Sequence, residues 1–107
     1  MKLTHMVAAV VVLAAALAGT ARAQQASPAA QLYTANCAVC HGAAGTPAPG
    51  MAHAMGAMPD FATVRAPADS VWISAITAGK GKMPGFGSRL QPAQIRALVT
   101  YLRSLKK

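Results

Sequence analysis

Acidic side chains are nearly missing from this sequence: Asp60 and Asp69 stand against ten lysines and arginines, a formal charge of +8 at pH 7 over 107 residues. Such a chain is poorly supplied for general acid–base catalysis, which needs a titratable group set against the reacting bond. Aromatic residues are also few, namely Tyr33, Phe61, Trp72, Phe86 and Tyr101. None is interleaved with a dense lysine and arginine block, so the positive charge does not read as a nucleic-acid surface. No stretch reads as a clear strand. The single long apolar run, from Met6 to Ala18, falls short of the roughly 18 to 20 residues that a membrane span requires.

What is present starts with "MKLTHMVAAVVVLAAALAGTARA". Lys2, the apolar run and the small-residue site Ala21-Arg22-Ala23 are the three parts of a secretory signal. Cleavage is expected after Ala23, leaving residues 24–107 as one small domain in an oxidising compartment, most simply a bacterial periplasm. Losing Lys2 and Arg22 leaves that domain strongly basic, and such a surface seeks acidic partners. All seven prolines remain in it. A domain of this size buries a marginal core even with good composition, so something beyond its own side chains must supply apolar volume.

The two cysteines lie in "NCAVCHG", Asn36 to Gly42. A disulfide is the ordinary reading in an exported chain, but a bridge over two intervening residues closes too short a loop to constrain the unfolded state much. A thioredoxin-like redox pair needs alternating strands and helices around it. Zinc needs four ligands, or three and an open position, and beyond Cys37, Cys40 and His41 only His53 is left. The spacing C-x-x-C-H is instead that of covalent c-type haem attachment. Two thiols form thioethers with the porphyrin vinyl groups, and the histidine behind them reaches the iron. The same porphyrin would fill the core.

Through "QLYTANCAVCHG", "MPDF", "ITAGKGKMPGF" and "IRALVTYLRSL", in that order, the chain resembles a class I c-type cytochrome. The likeness is to the small single-haem bacterial kind, similar to the haem domains of cbb3-type oxidases and periplasmic dehydrogenases, and it runs over residues 29 to 105. The resemblance implies an all-α, small cytochrome c fold, with three to four helices wrapped around one covalently attached haem and the N- and C-terminal helices crossing. It implies one haem c bound through Cys37 and Cys40, with His41 as the proximal ligand.

The opposite face of the iron needs a second ligand, and Met58 in "AMPDF" and Met83 in "KMPGF" sit in matching contexts. The residues alone exclude neither, and His53 is a third candidate. The resemblance implies Met83, ahead of Pro84 in a loop before the last helix. The run Gly79, Gly81, Gly85, Gly87 suits an irregular loop around a flat ligand. Met51, Met55 and Met58 then read as flexible apolar lining. The resemblance also implies a backbone carbonyl, from Pro47 or Pro49, that accepts from the other nitrogen of His41.

Ser27 and Pro28 read as a cap and first residue of a helix. A second helix is expected over about 67–78, ended by Gly79. A third starts at Pro92 and carries the stripe Ile95, Leu98, Val99, Leu102 and Leu105, with Arg103, Lys106 and Lys107 complementing its dipole. The family pattern puts Ala29 and Tyr33 against Leu98, Tyr101 and Leu102. "LQPAQIR" lacks the Ser or Thr cap and acidic first turn of the family, which predicts a weaker cap there.

The function that follows is electron transfer by a periplasmic monomer, not an enzyme. It would run between a quinol-oxidising complex or periplasmic dehydrogenase and a terminal oxidase or other cytochrome. Lys80, Lys82 and Arg89 flank the Met83 loop and would steer transient acidic redox partners. Two other readings are a haem subunit of a dehydrogenase or oxidase complex, and an open-site haem enzyme or gas sensor. The last would need an absent or labile methionine.

Overall fold

Ser27 is extended, with φ −60° and ψ 156°, and its hydroxyl accepts from the Ala30 N–H at 3.2 Å. With Pro28 at the first helical position, this starts α1, Pro28–Asn36. The computed structural model describes residues 26–105, so the proposed signal, Lys106 and Lys107 lie outside the described residues. α2, Ala38–His41, follows after the single linking residue Cys37, whose backbone stays in the right-handed helical region. α3 is Pro49–Met55, α4 Asp69–Ala78 and α5 Pro92–Ser104. Lys80 and Met83 form one isolated bridge, and no strand occurs among the described residues.

α3 is a helix where the sequence reads as loop. Its start follows from Pro49 at the first turn, its body from alanine and methionine, and its end from Gly56 at φ +87°. α4 ends at Gly79, as its sequence predicts. At the head of α5 the Gln94 side chain folds back, its Oε1 accepting from the Gln91 N–H at 2.7 Å, the arm of a capping box that an N3 glutamate or glutamine makes.

The core forms where α5 packs on α1 and on α4. Tyr33, Leu98 and Val99 are its most deeply buried side chains, with Ile95, Leu102, Ile76, Trp72, Phe61 and Phe86 around them. Tyr33 and Tyr101 meet with ring centroids 5.4 Å apart. The stripe on α5 therefore packs as its spacing implies. No helix among the described residues is long and apolar enough to cross a membrane.

Arg103 does more than complement a dipole. From the last turn of α5 its Nε donates to Asp69 Oδ1 at 2.9 Å, and its two terminal nitrogens donate to the carbonyls of Arg65, at 2.5 Å, and Pro67. Its guanidinium carbon lies 3.7 Å from the Trp72 ring centroid. One planar fork thus ties α5 to the start of α4 and the segment before it.

Tyr33 Oη donates to the Gly42 carbonyl at 2.6 Å, so α1 also fixes the turn behind the cysteine motif. Burial pushes its phenol pKa up to about 12, with the charges of Cys37 and Tyr101 adding to that. The hydroxyl therefore stays a donor at neutral pH. Tyr33→Phe keeps the ring and removes the donor, at an expected cost of about 1–2 kcal/mol. The check is the unfolding midpoint of the haem-loaded protein, which should fall by about 4–8 °C per kcal/mol; an unchanged midpoint refutes it.

Candidate functional site

α1 and α2 run almost without a break, so Cys37 and Cys40 stand about one helical turn apart with His41 directly after. Both cysteines are half-buried thiols with no disulfide between them. Burial pushes the Cys37 thiol up, and the neighbouring Cys40 adds to the shift. It is therefore held protonated. Burial pushes the His41 imidazole down, which keeps the ring neutral with a lone pair on one nitrogen. Its Nδ1 is buried and has no hydrogen-bond partner. The carbonyl expected from Pro47 or Pro49 does not accept from it. Pro49 is the first residue of α3, where carbonyls run along the helix axis.

The Met83 loop, which lines the same cavity as His41, is built on the end of α4. The last carbonyls of a helix have no partner within it. Here the Phe86 N–H donates to the Ile76 carbonyl at 2.8 Å and the Gly87 N–H to the Thr77 carbonyl at 3.0 Å. Lys80 and Met83 exchange both backbone hydrogen bonds, at 3.1 and 3.0 Å. Of the two residues between them, Gly81 alone has positive φ, +57°, the pattern of a type II′ hairpin turn. Gly79, at φ +83°, admits the loop: a Cβ there would come within 2.7 Å of the Met83 carbonyl. The glycine run thus serves to lay backbone against backbone.

These pieces enclose one cavity of about 490 Å³, within the range of about 300–1,000 Å³ typical of cofactor sites. Cys37, Cys40, His41 and Met83 all line it, and Phe61, Trp72, Leu98 and Leu102 are among its apolar walls. Met55 and Met58 line it as well, whereas Met51 and His53 do not. Among the described residues no three His, Cys, Asp or Glu side chains converge as a metal site of their own, which leaves the zinc reading without support. Two thiols, a neutral imidazole directly behind them and an apolar wall fit covalent haem c.

The three flanking cations differ in their surroundings. Lys80 is exposed and reaches the cavity rim. Lys82 Nζ donates to the Ala54 carbonyl at 2.8 Å, joining the Met83 loop to α3. Arg89 lies over the Phe86 ring, 4.4 Å from its centroid. Sequence reasoning missed the ring contacts of His41: Phe61 stands 5.0 Å away, and Trp72 lies 5.1 Å beyond it, edge-on. No spacing in the sequence signals them, because the three residues come from a helix, a turn and another helix.

Residues 24–102 match the family described as cytochrome c oxidase, cbb3-type, subunit III. No curated protein matches the chain. Among solved structures it is similar to the KustC0563 c-type cytochrome, with a TM-score of 0.64 and 30% sequence identity, covering 74% of this chain and 98% of that one. The helical fold with no strand among the described residues, the C-x-x-C-H motif on the cavity wall and these two matches agree. The chain belongs to the cbb3-type subunit III family of small c-type cytochromes, all-α proteins whose cofactor is covalent haem c, a group that Cys37, Cys40 and His41 fit.

Proposed function

We propose that this chain is an exported one-electron carrier in which His41 and Met83 are the axial ligands and Cys37 and Cys40 the covalent attachment points. The observation that carries this reading is the convergence of all four side chains on one cavity. Haem c, when bound, supplies a one-electron iron couple, and no bond is made or broken in a substrate. The chain's own work is to hold that couple still and dry. His41 is kept neutral by burial. Met83 is favoured over Met58 because its backbone is pinned on both sides, by the exchange with Lys80 and by the tight approach to Gly79.

In this reading residues 1–23 are a signal removed after Ala23, residues 24–107 are the functional domain, and the site of action is the periplasm. Partners are acidic redox proteins met transiently by a monomer, delivering electrons from a quinol-oxidising complex or a dehydrogenase to an oxidase or other cytochrome. Of the docking cations, Lys80 is the one whose head group has no structural duty in the contacts above, so it carries most of the steering. The family description favours a second reading, in which the domain is a fixed haem subunit of an oxidase. Co-purification separates them, since a stoichiometric partner retained at high salt belongs to the subunit reading alone.

Absorption spectra of the purified protein test the ligands. Met83→Ala should abolish the ferric sulfur-to-iron charge-transfer band while Met58→Ala leaves it; the reverse pattern assigns the ligand to Met58. Cys37→Ala combined with Cys40→Ala should yield a largely unfolded or degraded product, because the walls of a 490 Å³ cavity then lose the group they pack on, and a well-folded, cooperatively melting apoprotein would contradict this. Lys80→Glu should slow electron transfer to an acidic partner by roughly tenfold at low ionic strength and far less at high salt, and equal rates at low salt would remove Lys80 from the docking surface.

A further inference from the structure

Two loops border the cavity and are joined by one side chain. The first is the segment 46–60, which carries α3 and is closed at its base. There Thr46 Oγ1 donates to Asp60 Oδ1 at 2.8 Å, and beside that pair the Phe61 N–H donates to the Gly45 carbonyl at 3.0 Å. Met55, Ala57 and Met58 from this loop line the cavity. The second is the Met83 loop. Its root is pinned on α4 by the bonds from Phe86 and Gly87, and its tip, Lys80 to Pro84, lines the same cavity. Lys82 Nζ donates to the Ala54 carbonyl at 2.8 Å and joins the two loops across 28 positions of sequence.

The bond has a local cause at each end. Ala54 lies in the last turn of α3, where carbonyls lack a partner within the helix and the helix dipole favours a cation. Gly81, at φ +57°, makes the tight turn after which Lys82 directly precedes Met83. Among the described residues Lys80, two positions away and equal in charge, makes no such bridge. We propose that Lys82 is a positioning residue: it holds the tip of the Met83 loop against α3 and so sets how readily a small outside ligand takes the place of Met83. This rests on Met83 being an axial ligand. A ligand that binds only the open form shows an affinity reduced by the fraction of molecules that are open. The pins at the root of the loop leave its tip to this one bond, so the Lys82 contact lowers that fraction.

The test is a titration of the ferric, haem-loaded protein with imidazole, read as loss of the sulfur-to-iron charge-transfer band. Lys82→Ala should tighten imidazole binding by roughly fivefold, the effect of losing one hydrogen bond that favours the closed form. Lys82→Arg keeps a cationic donor of similar reach and should restore most of the difference. Lys80→Ala removes the same charge from the same loop and should leave the imidazole affinity as it was. Amide hydrogen exchange supplies a readout that needs no added ligand: in Lys82→Ala the amides of α3 and of Met83 should exchange faster, while those of α5 keep their rates. An imidazole affinity in Lys82→Ala equal to that of the unmodified protein overturns the inference, as does an equal change in Lys80→Ala. A charge-transfer band lost in Met58→Ala and kept in Met83→Ala removes the axial-ligand reading instead, and the inference with it.

Discussion

Two backbone hydrogen bonds at the end of α4, from Phe86 and Gly87 to the carbonyls of Ile76 and Thr77, carry the loop that brings Met83 to the cavity. A helix must leave its last carbonyls to something, and here they take a loop. Met83 is thereby placed chiefly by main chain, with the Lys82 side chain tying its loop to Ala54. α4 is fixed in turn at its other end, where Arg103 binds Asp69 and the segment before it, and along its side by α5. The cavity has its shape because one ten-residue helix is anchored at both ends and offers its apolar face between them.

Legibility in the sequence followed the range of the interaction. The C-x-x-C-H motif, the cap at Ser27, the stop at Gly79 and the stripe on α5 are local patterns, and each reads directly into the structure. α3 was hidden because proline and glycine flank it closely enough to read as loop. The ring contacts that link His41 to Phe61, Phe61 to Trp72 and Trp72 to Arg103 were hidden for a different reason. Their members are 20, 11 and 31 positions apart along the numbering, and no periodic rule connects them. The cap of α5 lay between these cases: the family's usual Ser or Thr is absent, and Gln94 instead folds back to accept from the Gln91 N–H.

Charge on this chain is divided between structure and surface. With only Asp60 and Asp69 available, both carboxylates are committed to internal contacts, Asp60 to Thr46 and Ala62 and Asp69 to Arg103. Several cations are satisfied by carbonyls or rings, as with Lys82 on Ala54 and Arg89 on Phe86. A charge change at Lys82 therefore alters the join between the Met83 loop and α3 as well as the field outside. The basic excess at the surface is real but narrower than the composition implies.

α5 is the last helix in chain order among the described residues, yet it packs on α1, packs on α4 and supplies Arg103. Those contacts link positions far apart in the chain, and contacts of that kind close late, after local helices have formed. Leu98 and Leu102 of α5 line the cavity that Cys37 and Cys40 also line. Without α5 one wall is therefore missing and both thiols stand on the open run of α1 and α2. The helix that completes the core is also the one that covers the attachment site.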